Sequence, residues 1–137
     1  MAHYVFADRA RRRGLPAVTL SMGTLGLAMH RAADEAIAAC AEVDVDLTPH
    51  RSQGLSLGVL RAATHVFIME EQHRAAIARL DPELARRTIM LGAWDPEGGG
   101  ETIDDPVNQP ITAFRQCLGR LERAIDRFLD AQQQVPR

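Results

Sequence analysis

The sequence predicts a three-layer α/β domain, in which helices cover both faces of a mainly parallel sheet. The run Val66-Phe67-Ile68-Met69 is continuously apolar, which is typical of a strand buried on both faces. Patterns typical of helices and of strands alternate along the chain, as they do in α/β proteins. A long amphipathic helix at the C-terminal end can dock on such a sheet. We therefore expect a single domain over residues 1–137.

The composition excludes several classes of function. The chain has 137 residues and a formal net charge of −2, so no global positive field favours nucleic acid or an anionic membrane as a partner. No apolar stretch approaches the length that spans a bilayer. Cys40 and Cys117 lie in helical patterns without metal-ligand spacing. We therefore expect a reduced, cytoplasmic protein without a metal ion or a cofactor.

The first half of the chain alternates between helix and strand. A helix is predicted over residues 2–13, because its apolar residues have helical spacing and an arginine triplet precedes Gly14. A short strand over 16–20 leads into a loop with two glycines. An alanine-rich pattern predicts the next helix over 31–42.

The middle of the chain has clear signals for the ends of its elements. Ser56 is predicted to cap a short helix, and Asp81-Pro82 is predicted to open another helical turn, with Asp as the cap and Pro as the first helical residue. The apolar patterns predict, in order, a helix over 57–63, a strand over 66–69, a helix over 70–80 and a strand over 88–91.

The last third contains a long loop and a long helix. Residues 92–109 have no apolar period, and loops of this length in a compact domain are typically functional or disordered. Pro110 starts a terminal helix with one apolar stripe. We expect residues 131–137 to be a frayed tail.

Five motifs follow one another in an order that indicates a family. They are Ser21-Met22-Gly23-Thr24, then His50-Arg51-Ser52 with Leu55-Ser56, then Val66-Phe67-Ile68-Met69-Glu70 with His73, then Leu91-Gly92-Ala93-Trp94-Asp95-Pro96, and finally Asp105-Pro106. In this order and spacing, over essentially the whole chain, they resemble the low-molecular-weight protein tyrosine phosphatases of bacterial type.

The resemblance implies a fold and a chemistry. The family's sheet has the strand order 2-1-3-4, and a Cys-x5-Arg-Ser phosphate loop follows its first strand. The loop amides and the arginine cradle the phosphoryl oxygens, and the thiolate attacks phosphorus to give a cysteinyl-phosphate. By resemblance, Asp105 stands at the position of the general acid. Ser21 and His50 match residues that hydrogen-bond an asparagine of the phosphate loop and hold its backbone in shape.

The sequence contains neither this loop nor the first strand. Cys117 and Arg123 satisfy the Cys-x5-Arg spacing, but they fall inside the predicted terminal helix, where backbone amides are already used in intrahelical bonds. Met1 aligns just beyond the point where the family's loop ends. We therefore expect an N-terminally truncated coding sequence that lacks a nucleophile. The alternatives are a natural pseudophosphatase that acts as a binding module, or a member of the arsenate reductase branch of the same fold.

The resemblance also indicates the class of substrate. Val107-Asn108 follow Asp105-Pro106, where phosphotyrosine-specific members often place tyrosines, so the chain is closer to members resembling protein arginine phosphatases. The expected partner is a phosphorylated protein, through phosphotyrosine or phosphoarginine, or a small phosphate ester. Without the first strand, the edges of the neighbouring strands would be exposed, and self-association through them is expected.

Overall fold

A two-stranded parallel sheet lies between two layers of helices in the computed structural model, which describes residues 1–135. Strand β1 (Val66–Ile68) pairs with β2 (Thr88–Met90), with Val66 opposite Thr88 and Ile68 opposite Met90. The helices are α1 (Ala2–Arg12), α2 (Asp34–Ala41), α3 (Leu57–Ala62), α4 (Glu71–Ala78), α5 (Pro82–Arg86) and α6 (Ile111–Gln134), with a 3₁₀ turn at Leu91–Trp94. The predicted α/β class with a parallel sheet is confirmed.

Alternate side chains of β1 face opposite layers, because successive residues of a strand point to opposite faces of the sheet. Val66 and Ile68 pack into a cluster with apolar residues of α3, α4 and α5. Phe67 packs against a larger cluster formed by α1, α2 and α6. These two clusters account for the three layers and for the continuously apolar sequence of the strand.

Local signals in the sequence fix several helix ends. The Ser56 hydroxyl accepts a hydrogen bond from the Val59 amide, which caps α3 as predicted. The Asp81 carboxylate accepts bonds from the amides of Glu83 and Leu84 at 3.0 and 3.2 Å, which confirms the predicted start of α5. Gly14, with a φ of +67°, follows the end of α1 in the left-handed conformation that glycine tolerates.

The predicted strand over residues 16–20 is wrong. The segment is not part of the sheet, and within residues 1–135 it makes no backbone–backbone hydrogen bond. The side chain of Val18 is 96% exposed. Apolar residues with high strand propensity are not sufficient for a strand, because a strand also needs a neighbour that accepts and donates its backbone hydrogen bonds.

Three other boundaries differ from the prediction. The helix expected over 31–42 begins only at Asp34, because Arg31 forms an isolated antiparallel bridge with Arg51. Glu70 is the cap of α4 and lies outside the helix, since its amide donates a hydrogen bond to Nδ1 of His73 at 3.2 Å. The predicted loop over 92–109 begins inside the 3₁₀ turn.

The C-terminal tail is also more regular than expected. Helix α6 continues to Gln134, so residues 131–134 are helical and not frayed. Residues 136–137 of the predicted tail lie outside the described residues. Although α6 is long, no helix in the described part of the chain is apolar enough over its length to cross a membrane.

Candidate functional site

Residues 21–31 and 50–54 are two loops that form one wall of the candidate site. Backbone hydrogen bonds hold them side by side, so both are fixed without belonging to the sheet. These bonds run from Gly23 N to Gln53 O (2.8 Å), from Met29 N to Ser52 O (2.7 Å) and from Ser52 N to His30 O (2.8 Å). The pairing brings the two segments that carry Ser21 and His50 next to each other.

Ser21 and His50 both lie beside the first turn of α1. The Ser21 hydroxyl is 3.2 Å from Nδ1 of His3, within a hydrogen bond. The His50 ring meets the Tyr4 ring edge to face, with centroids 5.7 Å apart, and its centroid is 6.3 Å from that of His3. Helix α1 therefore supplies two side chains, His3 and Tyr4, that join the two predicted residues into one cluster.

The two histidines of this cluster favour the neutral form. Burial lowers the pKa of His3 from its ordinary value of 6.5. Burial is also the main cause that lowers the pKa of His50, and the charges of His3 and Arg51 act in the same direction. Near neutral pH both rings can therefore donate one hydrogen bond and accept another, and neither adds a full positive charge.

Asp105 lies in the loop between the 3₁₀ turn and α6. Its Oδ1 accepts a hydrogen bond from the Val107 amide at 3.1 Å, which orients the carboxylate within a turn. Pro106 is buried, whereas Asp104 and Asp105 are both exposed. The structure thus presents Asp105 to solvent on an anchored loop.

The charge of Asp105 acts on both Cys117 and the Met1 amino group at the start of α1. Burial raises the pKa of the Cys117 thiol to about 11, and the charge of Asp105 adds to this rise while the Met1 amino group opposes it. The same carboxylate also acts on the Met1 amino group. Asp105 is therefore close to the N-terminal end of α1, the end at which Ser21 and His50 contact His3 and Tyr4.

Neither cysteine of the chain has the environment of a nucleophile. Cys40 is fully buried in α2, and burial raises the pKa of its thiol. Cys117 lies within α6, as predicted from the apolar stripe. Six residues of helix separate Cys117 from Arg123 by about 9 Å along the axis. Arg123 is also engaged elsewhere, with Nε and Nη2 donating to the Asp95 carboxylate at 2.9 and 3.0 Å.

Asp95 is the most strongly perturbed acid near the site. Its side chain is completely buried, yet it receives hydrogen bonds from Arg123, from Arg120 Nε at 3.2 Å and from the Glu97 amide at 3.0 Å. The Arg123 hydrogen bond is the main cause that lowers the pKa of Asp95 to about 2. This ionised group connects the loop after the 3₁₀ turn to α6.

Sequence reasoning did not identify His3, Asp95 or Arg120 as parts of this region. His3 has only one signal in the sequence, its place in the first turn of a helix that begins beside the site. Asp95 was named only as part of the motif Leu91-Gly92-Ala93-Trp94-Asp95-Pro96, with no role assigned to its carboxylate. The one available signal for Arg120 and Arg123 was that two arginines three residues apart follow an apolar helical stripe.

The arrangement can bind an anion and supply a proton. The site contains the Ser21 hydroxyl and two neutral imidazoles, which can donate hydrogen bonds to an oxyanion, and the exposed Asp105 carboxyl group, which can supply a proton in its protonated form. Within residues 1–135, no three His, Cys, Asp or Glu side chains lie close enough together to hold a metal ion. Ser21, His50 and Asp105, the three residues predicted from the sequence, all lie around the same end of α1.

Comparison with known proteins agrees with the motifs and the fold. The family model described as "Low molecular weight phosphotyrosine protein phosphatase" matches residues 1–137. The phosphatase Wzb of Salmonella typhi is 30% identical over 126 residues, which cover 91% of this chain and 83% of Wzb. The phosphatase Etp of Escherichia coli K12 is 31% identical over 118 residues, which cover 85% of this chain and 78% of Etp.

Solved structures give the same assignment. The arginine phosphatase YwlE of Geobacillus stearothermophilus superposes with a TM-score of 0.82 at 28% identity, over 96% of this chain and 82% of YwlE. A YwlE mutant from Bacillus subtilis superposes with a TM-score of 0.86 over 97% of this chain and 88% of that protein, and at 23% identity this likeness concerns the fold alone. The chain belongs to the low-molecular-weight phosphotyrosine protein phosphatase family.

Proposed function

We propose that this domain acts on the phosphoryl group of a phosphorylated protein or a small phosphate ester, with Asp105 as the general acid. Ser21 and His50 would hold the backbone of a phosphate loop in shape. The observation that carries the proposal is that Ser21 and His50 meet at the first turn of α1, through His3 and Tyr4, while the charge of Asp105 acts on the neighbouring Met1 amino group and on Cys117.

The substrate class follows from the relatives and from the acid loop. Two relatives are named tyrosine phosphatases, and the Geobacillus structure is named an arginine phosphatase. Val107-Asn108 follow Pro106 and offer no aromatic ring to flank a substrate tyrosine. Phosphotyrosine and phosphoarginine are therefore the two substrates to compare, with hydrolysis passing through a cysteinyl-phosphate where a nucleophile is present.

The 137-residue chain would not itself turn over phosphate esters. Cys40 is buried in α2 and Cys117 is half-buried in α6, and burial raises the pKa of both thiols, so thiolate is scarce at neutral pH. The experiment is p-nitrophenyl phosphate hydrolysis by the wild-type chain and by Cys117→Ser. We expect both to remain at background. Turnover that disappears in Cys117→Ser would show that the helical Cys-x5-Arg pair is a working nucleophile.

A binding module is the second candidate function. The neutral His3–Ser21–His50 cluster can still donate hydrogen bonds to the phosphoryl oxygens of a ligand without any nucleophile. Titration calorimetry with phosphotyrosine and phosphoarginine peptides separates the two functions. Binding without turnover, lost in Ser21→Ala, supports the binding module. The arsenate reductase alternative is disfavoured, because its redox relay needs reactive thiols and both thiols here have raised pKa values.

We also propose that the chain is a single domain that can pair with a second copy through exposed backbone. Segment 16–20 makes no backbone–backbone hydrogen bond within residues 1–135, and Val18 and Leu20 are 96% and 56% exposed. Cys40 and Cys117 are both free, which fits a reducing, cytoplasmic setting.

A further inference from the structure

Arg120 of α6 packs against the glycine loop, residues 98–102, which precedes Asp105. Its Nε donates to the buried Asp95 carboxylate at 3.2 Å. Its two remaining nitrogens donate to backbone carbonyls of the loop, Nη1 to Thr102 O at 2.7 Å and Nη2 to Gly100 O at 2.7 Å and Gly98 O at 3.4 Å. One guanidinium thus holds one carboxylate and three carbonyls, which uses all three of its nitrogens.

Three glycines give the loop the backbone that this contact needs. Gly98, Gly99 and Gly100 have φ values of +77°, +97° and +86°, a region that other residues rarely adopt. The Gly99 backbone lies over the guanidinium, so that a Cβ there would be 3.6 Å from Cζ of Arg120. The successive positive φ values allow the carbonyls on either side of Gly99 to turn toward the same side chain.

The chain is held again directly after this contact. The Ile103 side chain is buried in the main cluster, and its amide donates to Met69 O at 2.9 Å, just beyond β1. Gly92 lies under the Glu101 carbonyl with no room for a side chain. Asp105 is three residues beyond Thr102 and two beyond Ile103, so its location depends on how these anchors hold the chain.

We propose that Arg120 is a positioning residue that fixes the Asp104-Asp105 segment, through the three carbonyls of the glycine loop. Arginine is required because its planar fork directs several N–H groups at once, whereas a lysine ammonium offers a single point charge. The role of Asp105 itself rests on the proposed function. The positional effect of Arg120 does not, and it can be measured without any turnover.

Arg123 and Arg115 provide matched controls on the same helix. Arg123 contacts Asp95 and Glu97 but makes no hydrogen bond to the glycine carbonyls. Arg115 makes an exposed bidentate ion pair with Glu42, a residue that does not belong to the glycine loop. Substituting either removes an arginine of α6 while leaving the contact of Arg120 with the three carbonyls in place.

The test follows the Val107 amide by nuclear magnetic resonance during a pH titration of the 137-residue chain. This amide donates to Asp105 Oδ1, so its chemical shift reports ionisation of that carboxylate only while the turn is held. Asp104, Cys117 and the Met1 amino group are the titratable neighbours, and Asp104→Asn and Asp105→Asn assign the response. Thermal unfolding, followed through the single tryptophan Trp94, is measured in parallel.

We expect Arg120→Gln and Arg120→Lys to reduce the Val107 response at least twofold and to accelerate Ile103 amide exchange about tenfold. Arg115→Gln should leave both unchanged, and Arg123→Gln should lower the melting temperature while keeping most of the Val107 response. If Arg120→Gln does not fold, Gly100→Ala disturbs the loop backbone and leaves Arg120 intact, and the same losses are expected. An unchanged Val107 response in Arg120→Lys and Gly100→Ala, with only a lower melting temperature, would overturn the proposal. A failure of Asp105 as an acid would instead appear only in the leaving-group comparison described below.

Discussion

Asp95 is the residue that joins the loop after the 3₁₀ turn to helix α6. Its carboxylate is fully buried, and Arg123, Arg120 and the Glu97 amide together complete its hydrogen bonds. A buried ion pair is costly to break from one side, because the remaining charges lose their partner. Asp95 therefore contributes stability only while it is ionised and both arginines are present.

The pH dependence of folding follows from this carboxylate. Its pKa is about 2 in the folded chain against an ordinary value of 3.8, so the unfolded chain takes up the proton first as the pH falls. The contribution is complete above pH 3.8 and is lost as the pH falls toward 2. We expect Asp95→Asn to lower the free energy of unfolding by about 2 kcal/mol or more at pH 7.

Urea unfolding of the wild type and of Asp95→Asn, from pH 7 to pH 2.5, measures the contribution of Asp95 to the free energy of unfolding. The difference between the two curves should shrink below pH 4. Glu97→Gln is the matched control, because Glu97 is an exposed acid that contacts Arg123 at the edge of the same cluster. A difference that stays constant down to pH 2.5 would contradict the assigned cause.

The choice between Asp105 and its neighbour Asp104 is a second question at the scale of residues. Successive residues in an extended segment point to opposite sides, and Asp105 directly precedes Pro106, whose ring biases it to extended backbone. In a chimera that carries the family's first strand and phosphate loop ahead of Met1, we expect Asp105→Asn to slow alkyl phosphate hydrolysis by about 10²–10⁴-fold. Hydrolysis of p-nitrophenyl phosphate, whose leaving group needs no proton, should slow far less. Asp104→Asn should change neither, and an exchange of the two effects would move the acid by one position.

Residues differ in how far the sequence could predict them. Ser21, His50 and Asp105 were found because each belongs to a short motif at a fixed place among other motifs. Asp95 also belongs to one of these motifs, but its pairing with Arg120 was not predicted, because it joins a loop and a helix whose residues are 25 positions apart. No local pattern records such a contact.

At the scale of elements, α6 is both the best predicted helix and the one that organises the larger cluster. Of the apolar stripe predicted from the sequence, Ile111 is half-buried, and the other six residues are buried: Phe114, Leu118, Leu121, Ile125, Phe128 and Leu129. The prediction of a strand over 16–20 was wrong because helices and strands differ in how they satisfy their backbone hydrogen bonds. A helix satisfies its own backbone hydrogen bonds, whereas a strand depends on a second segment that the pattern of one segment does not reveal.

Phe128 is the central contact of α6 with the rest of the fold. Its ring lies 4.8 Å from that of Phe67 in β1 and 5.1 Å from that of Trp94, both edge to face. We expect Phe128→Ala to lower the free energy of unfolding by about 3–5 kcal/mol, because it opens a cavity where the helix meets the sheet. Chemical denaturation measures the change, and the exposed neighbour Arg127→Ala should cost little. A loss below about 1 kcal/mol would mean that the cluster closes over the missing ring.

At the scale of the whole molecule, the sheet has only two described strands, and segment 16–20 remains outside it. Val18 and Leu20 leave apolar surface beside unused backbone groups, a combination that favours pairing between chains. We expect the 137-residue chain to self-associate at micromolar concentration in sedimentation velocity experiments. The double variant Val18→Lys/Leu20→Lys should shift it toward the monomer, since charges on an exposed edge oppose pairing.

Val135→Lys is the control for that experiment. Val135 is similarly exposed, at 60%, but lies just beyond α6 and is not part of segment 16–20. It should leave the sedimentation profile unchanged. A wild-type chain that is a stable monomer with cooperative unfolding would contradict self-association through this segment.

The two apolar clusters on either side of the sheet give the molecule two cooperative units of unequal size. Within the described residues, sixteen buried residues join α1, α2 and α6, whereas seven join α3, α4 and α5. The three-residue strands β1 and β2 are the seam between them. A thin seam of this kind allows the smaller unit to open while the larger one stays closed, so that partial unfolding precedes global unfolding. The candidate site takes His3, Tyr4 and Cys117 from the larger unit, and its acid loop is anchored there through Ile103. We therefore expect these parts to keep their arrangement during fluctuations that open α3, α4 and α5.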